Sequence, residues 1–105
     1  MPPDDALVAS ALVGLAGIAV AQRRLADVAP LAARVEALIA AGKLPPPEKA
    51  YVSFKLGKAL WAADPGQRAH ARTMIAGVRT ALLTLQKTTS ELTEVEEWLV
   101  AHPLQ

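Results

Sequence analysis

Cysteine is absent from the 105 residues, which excludes disulfides, thiolate metal sites and cysteine nucleophiles together. Aromatic residues number four, Tyr51, Phe54, Trp61 and Trp98, so most of any core must be aliphatic. No Lys or Arg precedes Arg23, and the apolar run 6–21 therefore lacks the basic flank of a signal peptide. At 16 residues that run is also shorter than the roughly 18–20 needed to span a bilayer, which favours a buried helix. Ala19-Val20-Ala21 is the one feature in it that resembles a cleavage site. No segment alternates with period two and no Asn-Gly or Asp-Gly hairpin signal occurs, so strands are not expected.

What is present points to helices. Alanine contributes 22 residues and leucine 15, both leading helix formers. One domain suffices for this length, and such a chain buries roughly 60–70% of its unfolded surface without staples. The net charge of +1 hides a gradient. Residues 1–22 carry only Asp4 and Asp5. Residues 23–87 hold all 11 bases against four acids, a balance of +7, and residues 88–105 carry four glutamates and no base. A solvated helix face is the ordinary reading of the basic middle, and an acidic partner or nucleic acid the alternative.

Along the chain, the spacing predicts a first helix over 5–22, with Val8, Leu12, Leu15 and Ala19 in one stripe and Ser10, Gly14, Gly17 and Ala21 in another. Apolar nearly all round, it should be covered on every side. A turn at Arg23-Arg24-Leu25 leads to a second helix, with Asp27 as its N-cap, Pro30 in its first turn and Gly42 as its stop. Leu31, Val35, Leu38 and Ile39 form its inner stripe. Pro45-Pro46-Pro47 then stiffens the connection to a third helix that starts at Pro47 and ends near Ala63. Asp64-Pro65-Gly66-Gln67 is a capping box for a fourth helix, Pro65 to about Gln86, which buries Ala71, Ile75, Val78 and Leu82. Thr88 and Glu91 offer the same device to a last helix, whose inner face is Leu92, Val95, Trp98 and Leu99. The expected fold is all-α.

Helices one and two, and then three and four, repeat one pattern of helix, turn, helix. Tyr51 to Leu83 resembles a tetratricopeptide repeat: Leu56-Gly57 matches that family's Leu-Gly pair, Leu60 takes the usual aromatic position, and Ala71, Ile75 and Val78 match its second helix, given two extra residues in the turn. The first pair departs further, with Leu15-Ala16 for Leu-Gly, Ala19 for the aromatic, Arg23 for the turn glycine and Val28 for the small alanine. Glu94-Val95-Glu96-Glu97-Trp98-Leu99 is similar to the solvating helix that closes such arrays. The resemblance implies repeats over 5–41 and 47–86 with a closing helix over 88–101. Residues 53–61 together with that Glu-Trp-Leu helix look like the end of tetratricopeptide tails on large bacterial regulators, including serine/threonine protein kinases.

Chemistry has few candidates. His70 and His102 lack a second His or an acid three or four residues away, so no metal pair forms from spacing, and no catalytic residue or cofactor is expected. Tyr51, Phe54, Lys58 and Trp61, spaced three, four and three apart, share one face of the third helix, opposite Val52, Leu56, Ala59 and Ala63. The resemblance places peptide contacts on that concave side, adding Ala62 there and Ser10, Val13, Gly17, Val20 and Ala21 on the first helix. The expectation is a cytoplasmic, non-catalytic module that binds a protein or peptide partner, with Phe54 and Trp61 either lining the groove or packed in the core. A dimerising structural bundle is the alternative, because the uncapped first helix calls for a second copy or further repeats. Arg68, Arg72 and Arg79 form a possible basic face for a nucleic-acid or membrane accessory.

Overall fold

Residues 5–85 and 90–103 are described by the computed structural model, and every regular element among them is helical. In chain order these are α1 (Asp5–Ala21), α2 (Val28–Ala40), α3 (Pro46–Ala63), α4 (Arg68–Thr84) and α5 (Ser90–Ala101), with 3-10 turns at Leu25–Asp27 and Pro65–Gln67. None of them is long and apolar enough to cross a membrane. The expected capping residue Thr88 lies outside the described residues.

Local chemistry explains where each helix stops. Arg23 adopts φ 61 after α1, and the Arg24 N–H reaches back to the Ala19 carbonyl while Arg23 bonds Val20. Gly42 repeats the arrangement after α2 at φ 70, with Lys43 bonding Leu38 and Gly42 bonding Ile39. Both are left-handed caps that satisfy carbonyls the helix end would otherwise leave without partners. Pro46 and Pro47 occupy the first turn of α3, where a missing N–H is harmless, so the helix begins one residue before the expected start. Asp64 caps the turn into α4 by accepting the Gly66 N–H at 2.9 Å. Asp27, the expected cap of α2, does something else. The chain runs from the 3-10 turn straight into α2, so Asp27 has helical backbone, and its carboxylate pairs with Arg24 at 3.2 Å.

α1 and α2 form one antiparallel hairpin and α3 and α4 another, and α1 lies along α3. The first core joins Ala9, Leu12, Ala16 and Ala19 of α1 to Val28 and Val35 of α2 and to Val52, Leu56 and Leu60 of α3. Within α2 the fully buried side chains are Val28, Ala32 and Val35, with Leu31, Leu38 and Ile39 half-buried at the margin. Gly57 lets α3 and α4 approach closely: a Cβ there would lie 2.6 Å from the Ile75 side chain. The second core joins Ala50 and Phe54 of α3 to Ile75, Val78 and Leu82 of α4 and to Leu92 and Val95 of α5.

The expected covering of α1 is only half met within the chain. α2 and α3 both pack against one arc of α1, so Leu15 is not part of the buried stripe and is 51% exposed. Val13, two residues earlier and on the other side of the helix, is buried instead.

Candidate docking surface

Part of the face of α3 expected to form an open groove is covered by side chains of α5, which packs mainly on α4. Phe54 is buried at 8% exposure among Ile75, Val78, Leu82 and Val95, so it belongs to the second core and lines only the floor of the crevice between α3 and α5. Trp61 is half-buried. Its ring meets Trp98 edge-on at 5.3 Å and His102 edge-on at 5.4 Å, and the Arg68 guanidinium lies 5.0 Å over it. His102 stacks on Trp98 at 4.2 Å, and its Nδ1 lies 2.8 Å from the Trp98 carbonyl oxygen, tying the chain after α5 back to that helix. Three rings thus close the C-terminal end of the expected trough. The physical cause is the short amphipathic α5, which has nowhere else to bury Leu92, Val95 and Trp98.

The same packing redirects the arginines. Arg68, Arg72 and Arg79 do share a face of α4, which borders Trp61 and α5; Arg68 and Arg79 are exposed and Arg72 is half-buried. Arg72 donates to the Leu99 and His102 carbonyls at 3.3 and 3.2 Å, which places a cation at the C-terminal end of α5 where its dipole is negative. Arg79 lies 3.9 Å from Glu96, and Arg68 Nε donates to the Trp61 carbonyl. A phosphate-tracking row needs cations free of such obligations. Of the expected basic face, Arg72 is drawn into the α4–α5 packing, whereas Arg68 and Arg79 remain exposed.

Lys58 rests its ammonium 4.6 Å from the Phe54 ring centre. Partial burial, and next the neighbouring Lys55, push its pKa below the usual lysine value, with Glu94 of α5 acting in the opposite sense. The folded chain therefore holds this proton less tightly than the unfolded chain does.

On the first-helix wall, Val13 is buried in the first core and cannot contact a guest, whereas Gly17 is exposed and Val20 is half-buried against that core. Ala62 is exposed. The aromatic residue that stays open is Tyr51, at 51% exposure, with Lys55 Nζ 5.7 Å from its ring centre. It forms a ridge between two crevices. One, of about 400 Å³, runs between the N-terminal halves of α1 and α3 past Leu7, Ser10 and Glu48. The other, of about 250 Å³, runs between α3 and α5 past Lys55, Glu91 and Glu94. A broader hollow of about 570 Å³ spans α2, α3 and α4, with Glu36 and Lys49 as its ionisable residues.

Among the described residues, no group of three or more His, Asp or Glu converges. His70 does find an acid that its own helix lacks: Nε2 lies 2.5 Å from Glu36 Oε1, joining α4 to α2 across the surface. Sequence spacing missed this pair because its partners are 34 residues apart. The packing of α5 over α3 was signalled, however, by the acidic end facing a basic middle and by Trp98 on the inner face of the last helix.

No family model matches this chain, and neither a curated protein nor a solved structure matches it.

Proposed function

We propose that this chain is a non-catalytic protein-interaction module, a tetratricopeptide-like pair of helical hairpins closed by α5, that docks an extended peptide or short helix over the Tyr51 ridge. What supports the reading is the position of one residue. Tyr51 is half open between two crevices while the other three aromatics pack together or into the core. A rigid ring with a hydroxyl at its tip supplies contact area with little entropy to lose, which is why tyrosine anchors many interfaces. Lys55 beside it, with Glu48, Glu91 and Glu94 at the crevice margins, would set the charge and register of the guest. The two successive hairpins and the Gly57 approach support the repeat-like reading of the fold.

A random peptide library selected against the full chain tests this. Selected peptides are expected to lose at least tenfold in affinity for Tyr51→Ala, about 1.4 kcal/mol or more. The unfolding free energy of that variant should stay within about 0.5 kcal/mol of the parent, as for other exposed positions. Peptides that bind Tyr51→Ala as tightly as the parent chain would remove the ridge from the account.

A further inference from the structure

Two glycines in α1 serve nothing inside this chain. A Cβ built on Gly14 or Gly17 meets no atom within 4 Å, in contrast to Gly57, where the same test finds α4. Each glycine within a helix costs about 1 kcal/mol relative to alanine. The arc of α1 turned away from α2 and α3 carries Ala11, Gly14, Ile18 and Ala21, with Leu7 at its edge where the α1–α3 crevice opens; Leu7 is 68% and Ile18 50% exposed. No charged side chain occurs between Asp5 and Arg23.

The order of sizes on this arc identifies what fits it. Residues 7, 11, 14 and 18 run large, small, small, large, with spacings of four, three and four, so the pattern is the same in both directions. In a two-fold interface residue i meets j and j meets i, which an antiparallel pair of such helices satisfies. Leu7 of one copy then lies beside Ile18 of the other. Ala11 meets Gly14 at the crossing, where missing side chains let the axes come to the short end of the roughly 8–10 Å range. Charge agrees with this direction. Asp5 begins α1 and Arg23 follows its end, Arg24 being paired with Asp27, so antiparallel pairing brings acid toward base while parallel pairing brings like toward like.

We infer that the outer face of α1 is a docking surface for a second copy of this chain, the two α1 helices crossing antiparallel about a two-fold axis at Ala11 and Gly14. The area available decides how tight the pair is. α1 has 17 residues, so its outer face is about 25 Å long and, at a helix diameter of about 10 Å, about 250 Å² in projection per copy. That is about 500 Å² for the pair, below the size of stable specific interfaces, so the contact is a weak one. The expected product is a reversible dimer populated between micromolar and millimolar concentration, not an obligate one.

Sedimentation equilibrium of the full chain from micromolar to millimolar concentration tests this. The expected mass rises from 11.0 kDa toward twice that value. Gly14→Leu separates docking from folding, because a Cβ at this exposed position meets nothing within 4 Å among the described residues, whereas a large side chain blocks the crossing. Its thermal midpoint, read at low concentration, should be unchanged or higher while dimerisation weakens at least tenfold. Ile18→Glu should weaken it as well. In this cysteine-free chain, Leu7→Cys mixed with Ile18→Cys should cross-link more readily than either variant alone. A parent chain that remains at 11.0 kDa to millimolar concentration overturns the inference. So does a Gly14→Leu variant that associates like the parent, or a monomeric parent that sediments with phosphatidylcholine–phosphatidylglycerol vesicles.

Discussion

Phe54→Ala is expected to lower the unfolding free energy by about 3–5 kcal/mol, the range for truncating a buried phenylalanine. Whole domains of this size are stable by only about 5–15 kcal/mol, so the variant should lose roughly a fifth or more of its stability. At about 4–8 °C per kcal/mol, the thermal midpoint should fall by more than 10 °C. The effect is large because the ring fills the junction of three helices, touching the cluster of Ile75, Val78 and Leu82 on α4 and of Leu92 and Val95 on α5. Lys58 also loses the ring beneath its ammonium. Urea denaturation followed by circular dichroism reads this directly. A Phe54→Ala variant as stable as the parent would mean that the ring belongs to an open groove.

Gly57→Ala should destabilise by about 1–3 kcal/mol, the usual range for overpacking a filled core. The new methyl would stand 2.6 and 2.7 Å from Cγ1 and Cδ1 of Ile75 and 3.3 Å from the Ala71 carbonyl oxygen. Ile75 is fully buried at 0% exposure, so its side chain has no empty space into which to turn. Instead α3 and α4 must separate, loosening both cores. Against this, alanine recovers about 1 kcal/mol of helix propensity, which is too little to reverse the sign. Gly14→Ala and Gly17→Ala provide the control, since each gains the propensity and meets nothing. Thermal midpoints measured in parallel should therefore fall for Gly57→Ala and rise slightly for the other two. A rise at Gly57 would mean that the two helices are not in close contact.

The punctuation of the fold was legible because it is local. Pro46 and Pro47, Gly42 and Asp64 act on their own backbone, and the helices start and stop within a residue or two of where those residues predict. The substitution of Arg23 for a turn glycine likewise fell at a left-handed position. Faces were harder. On α1 nearly every side chain is apolar, so periodicity could not distinguish the arc against α2 and α3 from the arc left outside, and Leu15 and Val13 were exchanged. On α3 both faces carry large apolar residues, and nothing local tells Phe54 from Tyr51. That distinction arises from α5, some 40 residues later, whose Val95 meets Phe54 and whose Trp98 meets Trp61. The arginines of α4 show the same dependence, for Arg72 and Arg79 find their carbonyl and carboxylate partners only once α5 is seated.

The Tyr51 reading rests on α5 being an integral layer of the fold, since α5 covers Phe54 and Trp61 and leaves Tyr51 as the open ring of α3. Native-state amide hydrogen exchange on the full chain reports this most directly. Val95 and Trp98 amides are expected to be protected by about 3 kcal/mol or more, as for helices that open only with the core they cover. Exchange of those amides at nearly solvent rates, with α3 and α4 still protected, would contradict it and leave the Phe54–Trp61 trough open after all.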